Sequence, residues 1–292
     1  MKKTNNLKKK ITHFRSKIRS RHPSHRVLRT ELALLPVKSV IRLGSTTELQ
    51  DTVAKGGNRI EINTVESIKN SMDKLRMKNC FTQGAVKTAD WWVYKTHDPI
   101  GLTFVSGNNN IPIQDNNELP YPIVAKHRFG SRGNGNTLLK TQAELEAWLR
   151  GKTLENYIFE KFYSYDREYR LHVTKDGCFY TCRKRLKLGT PEENKWYRND
   201  SNSVWIVRDN EAFDIPVNWN TIEEHCVKAL NSVGLDFGAC DVRVQATKDG
   251  KGRVRPEPDF IIVEINSAPS FGDITTQKYL EILPKLIISK KQ

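Results

Sequence analysis

Asp259-Phe-Ile-Ile-Val-Glu-Ile-Asn-Ser-Ala-Pro-Ser270 decides the reading of this chain. Its apolar run predicts a strand, and strand alternation puts Glu264 and Asn266 on one face, about 7 Å apart. That span suits Mg²⁺ bridging a nucleotide polyphosphate. Phe237-Gly-Ala-Cys-Asp-Val-Arg-Val244 reads as the preceding antiparallel strand, with loop 246–258 between them, and offers Asp241 as a third ligand. Carboxylate and amide oxygens suit Mg²⁺, or Mn²⁺, completed by phosphate and water. Taken alone, the stretch reads more readily as a half-buried strand with an asparagine at its turn. The upstream segments decide between the two.

Pro122-Ile-Val-Ala-Lys126 is an apolar run that ends in a cation, followed at once by His127-Arg-Phe-Gly-Ser-Arg-Gly-Asn-Gly-Asn136. Gly130, Gly133 and Gly135 lack a Cβ, so backbone N–H groups there can approach phosphate oxygens closely. No Gly-Lys-Ser/Thr closes the loop, which excludes a Walker A site. By itself such a loop is more often a hairpin turn than a phosphate clamp. Asn156-Tyr-Ile-Phe-Glu-Lys-Phe162 supplies another strand, whose Glu160, Lys161 and Phe162 offer backbone groups to an adenine edge and a ring to its face. Arg167-Glu-Tyr-Arg-Leu-His-Val173 begins the next strand.

This order of strand lysine, Gly-rich loop, helix, Glu-Lys strand, Glu strand, and paired Asp and Glu-x-Asn strands resembles the ATP-grasp superfamily. The match covers about residues 70–271. Ser71-Met-Asp-Lys-Leu-Arg-Met-Lys78 also looks like the corresponding segment of D-alanine–D-alanine ligases. The resemblance implies an α+β fold in which two lobes enclose ATP. It implies that Lys74 and Lys126 hold phosphates, that Glu160 and Lys161 frame adenine, and that Glu168 reaches the ribose. It further implies that Asp241, Glu264 and Asn266 bind Mg²⁺. D-alanine ligases carry an arginine two residues before the metal aspartate, where this chain has Ala239. Relatives of the ribosomal-protein glutamate ligase type place basic residues near the strand Cys178–Arg185, which makes Arg183 and Lys184 substitutes, with Arg243 as another. The Arg42-Leu-Gly-Ser45 segment looks like compact ATP-grasp proteins encoded by bacteriophages.

The implied activity is ATP- and Mg²⁺-dependent ligation of a carboxylate to an amine through an acyl phosphate. A kinase acting on a hydroxyl is the alternative on the same fold, and a nucleic-acid or assembly-binding protein is the non-enzymatic one. The expected organisation is a basic tail over 1–30, an abbreviated N-terminal unit over 31–120, a lid lobe over 121–185 and a metal-bearing lobe over 186–292.

Composition agrees with a globular chain: 292 residues, 37% of them hydrophobic. The formal charge of +15 is uneven, because residues 1–30 hold eleven Lys and Arg and no acid. In that tail Leu7, Ile11, Phe14 and Ile18 recur at helical spacing, predicting a basic amphipathic helix that packs on the body or meets nucleic acid, an acidic partner or a membrane surface. No apolar run reaches the roughly 20 residues of a membrane span. Five scattered cysteines without C-x-x-C spacing and the lack of a secretory signal predict a reducing cytoplasm, that of a host if the chain is phage-encoded. His127 and His172 read as packing or surface residues. Val37–Gly44 predicts a short strand closing on a glycine turn, Ser45-Thr-Thr-Glu48 a cap opening a turn or helix, and Thr64–Phe81 one helix ended by Gly84.

Overall fold

Runs rich in β-branched and aromatic residues fill most of the chain, and the computed structural model describes residues 12–16, 23–33, 35, 37–97, 101–113, 116–131, 133, 135–199 and 201–291. The first part holds β1 (Thr12–Ser16), α1 (Pro23–Leu32), β2 (Ser39–Leu43), β3 (Ile60–Ile62), α2 (Val65–Met72) and α3 (Lys74–Gln83). The middle holds β4 (Trp91–His97), β5 (Gly101–Ser106), β6 (Pro112–Ile113), β7 (Ile123–His127), β8 (Asn136–Leu139), α4 (Gln142–Leu149) and β9 (Tyr157–Lys161). The last part holds β10 (Arg167–Thr174), β11 (Gly177–Leu186), β12 (Ser203–Val207), α5 (Trp219–Val233), β13 (Phe237–Val244), β14 (Phe260–Asn266) and α6 (Asp273–Ser289).

Three sheets result: β1-β2-β3, β6-β5-β4-β9-β7-β8 and β12-β11-β10-β13-β14. The strands β10 to β14 are antiparallel neighbours, and Asp241 pairs directly with Glu264. One face of this sheet packs on α5, where Ile222, Cys226, Ala229, Leu230 and Val233 recur at helical spacing and are buried. They meet Tyr169, Leu171 and Val242 in one core. Each such side chain taken from water contributes on the order of 1.5–3 kcal/mol, and Gly234, at φ 76°, closes the helix in the left-handed conformation. The other face of the sheet is thereby left for the site.

The sheets divide the chain differently from the lobe boundaries expected above. β10 and β11 hydrogen-bond into the sheet that bears Asp241 and Glu264, although residues 167–185 were assigned to the lid. Trp91 and Trp92 pair with Glu160 and Phe159, which brings β4 into the lid sheet. These pairings span tens of residues, and strand patterning carries no information about them. The Gly-rich segment is the turn of the β7–β8 hairpin, and the helix expected before the Glu160 strand, α4, follows β8.

Three local expectations also change. Residues 12–16 form a strand parallel to β2, with Phe14 opposite Ile41, rather than part of an amphipathic helix. Leu7, Ile11 and Ile18 lie outside the described residues. A short isolated helix is marginal in water, whereas the edge of β2 offers a ready ladder. The tail is also not separate from the body, because Leu28 and Leu32 of α1 are buried with Tyr279 and Leu283 of α6. The single helix expected over 64–81 breaks at Asp73, which ends α2 and caps α3 by accepting from Leu75 N at 3.0 Å. At Ser45 no helix starts; its hydroxyl accepts from Thr47 N, and one 3₁₀ turn follows later at Val53–Lys55.

Asn63 ties the small parallel sheet to β13. Its side-chain amide donates to Arg42 O and Phe237 O and accepts from Asp236 N. Asn63 holds φ 58°, a conformation asparagine tolerates better than most residues. The junction sets Gly44 at the rim of the cavity described next.

Candidate functional site

Alternation and register put Glu168 and Arg170 of β10, Lys184 of β11, Trp205 of β12, and Asp241 and Arg243 of β13 on one face of the five-stranded sheet. Glu168 lies opposite Lys184 and Arg243, Arg170 opposite Asp241, and Lys184 opposite Trp205. Together they floor a cavity of about 630 Å³, within the usual range for small-molecule sites. Its opposite wall is the six-stranded sheet and the residue after it, with Lys126, Glu160, Lys161 and Phe162, and its rim includes Lys74, Gly130 and Gly133.

The floor is an ionic network. Arg170 donates to both oxygens of Asp241, each at 2.8 Å. Lys184 bridges Glu168 at 2.9 Å and Asp241 at 3.2 Å, and Arg243 Nε reaches Glu168 at 3.2 Å. Burial raises the Asp241 carboxyl, but the charges of Arg170 and Lys184 outweigh it and hold the group well below the usual carboxylate range. Glu168 is lowered in the same way, by Lys184 and Arg243 acting against burial. Buried charges persist when they are paired this closely.

On the lid wall, Lys126 Nζ lies 2.7 Å and Lys78 Nζ 3.4 Å from Glu160 Oε2. Burial alone favours neutral Glu160, yet these two ammonium groups lower its pKa. Glu160 is 3% exposed, and its Oε1 has no hydrogen-bond partner among the described residues. Lys74, the first residue of α3, donates its ammonium to Gly130 O across the rim.

Asp241, Glu264 and Asn266 all line the cavity, with Asn266 Nδ2 donating to Glu264 Oε1 at 3.1 Å. A carboxylate offers four lone-pair sites, and Arg170 and Lys184 occupy three of those on Asp241. Among the described residues one site, on Oδ1, is left unfilled. With Glu264 and the Asn266 amide oxygen, this donor set fits a hard ion completed by phosphate and water.

Several expected residues sit elsewhere or act differently. Arg183 pairs in register with Tyr169, on the core face, and donates to Ala212 O at 2.9 Å and to Asp214 at 3.3 Å. It does not line the cavity; a one-residue step along a strand reverses the face. Gly135 also lies outside the cavity lining. Its φ of 78° closes the hairpin, and a Cβ there would come within 2.9 Å of His127 Cβ. The backbone donors of Lys161 and Phe162 are already engaged by Asp90 O and Pro122 O, each at 2.9 Å, so they do not face a ligand edge. Glu168 lines the cavity with both carboxylate oxygens inside the ion network. His172 is buried 3.0 Å from the Tyr279 hydroxyl, which accords with a packing residue.

Arg170, Lys78 and Trp205 were not selected from the sequence. For Arg170 the signal was available, since it follows Glu168 by two on the same strand and so shares its face. Lys78 follows Lys74 by one helical turn. Trp205 carried no local signal, because β12 enters the site only through its pairing with β11.

No protein-family model matches the chain, and no curated sequence matches it. Solved structures do resemble it. The D-alanine–D-alanine ligase of Bacillus anthracis complexed with ATP superposes with a TM-score of 0.57 at 14% identity, covering 90% of this chain and 83% of that one. An ATP-grasp RimK domain protein from Sphaerobacter thermophilus gives 0.54 at 13%, covering 94% and 99%. N5-carboxyaminoimidazole synthetase from Staphylococcus aureus complexed with ADP gives 0.51 at 14%, covering 80% and 54%. Among the described residues no helix is long and apolar enough to cross a membrane.

Proposed function

The chain has an α+β ATP-grasp fold, and from that premise we propose that it is an ATP- and Mg²⁺-dependent ligase joining a carboxylate to an amine. One observation carries the reading. A single cavity is lined by the cations Lys74 and Lys126 and by the oxygen donors Asp241, Glu264 and Asn266, with Arg170 and Lys184 on its floor.

Lys126 and Lys74 hold the phosphate chain, and the rim glycines Gly130 and Gly133 let backbone approach it. The unpartnered Oε1 of Glu160 accepts from an exocyclic amine such as that of adenine, and Phe162 offers its ring. Asp241, Glu264 and Asn266 would hold the metal ion, which would neutralise phosphate charge. A substrate carboxylate attacks the γ-phosphorus, releasing ADP and forming an acyl phosphate; an amine then displaces phosphate to give the amide. Arg170 and Lys184, rather than Arg183 and Arg243, stabilise the charge that develops on the transferred group. The reaction requires no side-chain nucleophile.

The test is ATP turnover by the purified chain against pooled carboxylic acids and amines, with products read by mass spectrometry. ADP together with an amide, lost in Glu264→Gln, is the expected result. ADP with a phosphorylated hydroxyl and no amide identifies a kinase and overturns the reading.

A further inference from the structure

Among the described residues β12 is the outer strand of the five-stranded sheet and pairs on one side only, with β11. Its sequence, Ser203-Val-Trp-Ile-Val207, contains no charge and no proline, and its five register pairs run without a bulge. Val204, Trp205 and Val207 are 44%, 39% and 37% exposed. Edges of this kind pair with another strand unless lysine, proline or a bulge protects them.

Two observations say what pairs here. First, the edge is continuous with the site: the Trp205 ring is cavity wall, 4.9 Å from the Arg170 guanidinium and 5.3 Å from the Lys184 ammonium. A strand added at the usual spacing of about 4.8 Å would carry alternate side chains on the face that Trp205 shares with Lys184. Second, residues 183–208 hold seven basic and three acidic residues, a net of +4. Residues 31–292 as a whole, with 37 basic and 33 acidic residues, also net only +4. Arg183, Lys184, Lys195 and Arg198 are paired with Asp214, Glu168, Asp241 and Glu192, which leaves the exposed cations beside the edge to meet an acidic partner. Arg185, Lys187 and Arg208 are exposed beside it.

We propose that the open edge of β12 docks the acid substrate as an extended acidic peptide, which adds as a further strand and delivers a carboxylate to the Lys184 and Arg170 end of the cavity. This rests on the ligase reading above for the fate of that carboxylate, but not for the docking.

The experiment uses the full chain and three fluorescein-labelled heptapeptides: one alternating Glu and Val, its Lys counterpart, and an isomer of the first with proline at two central positions. Anisotropy should show binding of the Glu peptide, weakened by salt, and at least tenfold weaker binding of the other two. The double variant Val204→Glu, Val207→Glu changes exposed residues outside the cavity lining. It should lose the Glu peptide at least tenfold while holding ATP affinity within about twofold. Binding that is equal for all three peptides, unchanged in the double variant, or absent at millimolar peptide overturns the proposal. So does a dimer of the chain, by light scattering, that the double variant dissociates, because the edge then serves self-association. Peptide docking without ATP-dependent amide formation would remove the ligase reading and leave the docking edge; amide formation on small acids without peptide docking would do the reverse.

Discussion

The guanidinium of Arg128 donates to both carboxylate oxygens of Asp73, with Nε 3.0 Å from Oδ1, which clamps the base of the Gly-rich hairpin to the cap of the helix that begins with Lys74. Lys74 N also donates to Arg128 O at 3.1 Å, so loop and helix share a second bond. Arg128 lies outside the cavity lining, and any effect on nucleotide must pass through the hairpin. Arg128→Ala should weaken ATP roughly tenfold, about 1.4 kcal/mol, and leave adenosine nearly unaffected. Arg128→Lys, which keeps charge but not the fork, should fall between. Calorimetry with both ligands checks this; equal losses for ATP and adenosine would show that the clamp does not act on the phosphate loop.

Glu264 and Asp241 should respond differently to removal of their charge. Glu264→Gln should cut ATP turnover at least about 100-fold with little change in stability. Asp241→Asn should also cost stability, about 1–3 kcal/mol, because it removes the charge paired with half-buried Arg170 and one of the two carboxylates paired with buried Lys184. Turnover and urea denaturation on both variants separate these effects. A stable, active Glu264→Gln protein would remove the metal assignment.

Stability should fall in acid. Asp241, Glu168 and Glu160 all have lowered pKa values in the folded chain, where paired cations outweigh burial. Their stabilisation is therefore complete above the unfolded carboxylate values near 4 and is lost as pH falls below them. Denaturant midpoints at pH 7, 5 and 3.5 should change little over the first step and drop over the second. A flat profile would mean that the network is not ionised as described.

Adjacent residues on β11 should behave oppositely. Lys184→Ala should abolish turnover, while Arg183→Ala should leave it within a few-fold and cost about 1–2 kcal/mol through lost bonds to Ala212 O, Phe213 O and Asp214. Steady-state kinetics with thermal melts distinguishes them, and a catalytically dead but stable Arg183→Ala protein would reverse the assignment of faces.

Truncation should divide the tail in two. Removing residues 1–11 takes away five of its cations and should reduce salt-dependent polyanion binding with an unchanged melting temperature. Removing 1–30 deletes β1 and buried Leu28 and should lower that temperature by several degrees. If the longer deletion melts like the full chain, β1 and α1 do not contribute to the core.

Residue types and local spacing put Glu264 and Asn266 on one strand face and marked Lys126, the Gly-rich turn and Glu160, because strand alternation and a strand-to-turn transition are short-range properties; the α+β ATP-grasp expectation, Lys74 and the grouping of Asp241 with Glu264 and Asn266 came from the resemblance that the order of these motifs carries. The tertiary structure decided which face of each strand meets the cavity. That depends on register between strands far apart in sequence: Arg170 meets Asp241 across 71 residues, and Arg128 meets Asp73 across 55. Period-two patterning states which residues share a face and is silent on what lies opposite. It therefore could not separate Arg183 from Lys184, place Trp205 in the cavity wall, or show that Phe14 belongs to a sheet edge.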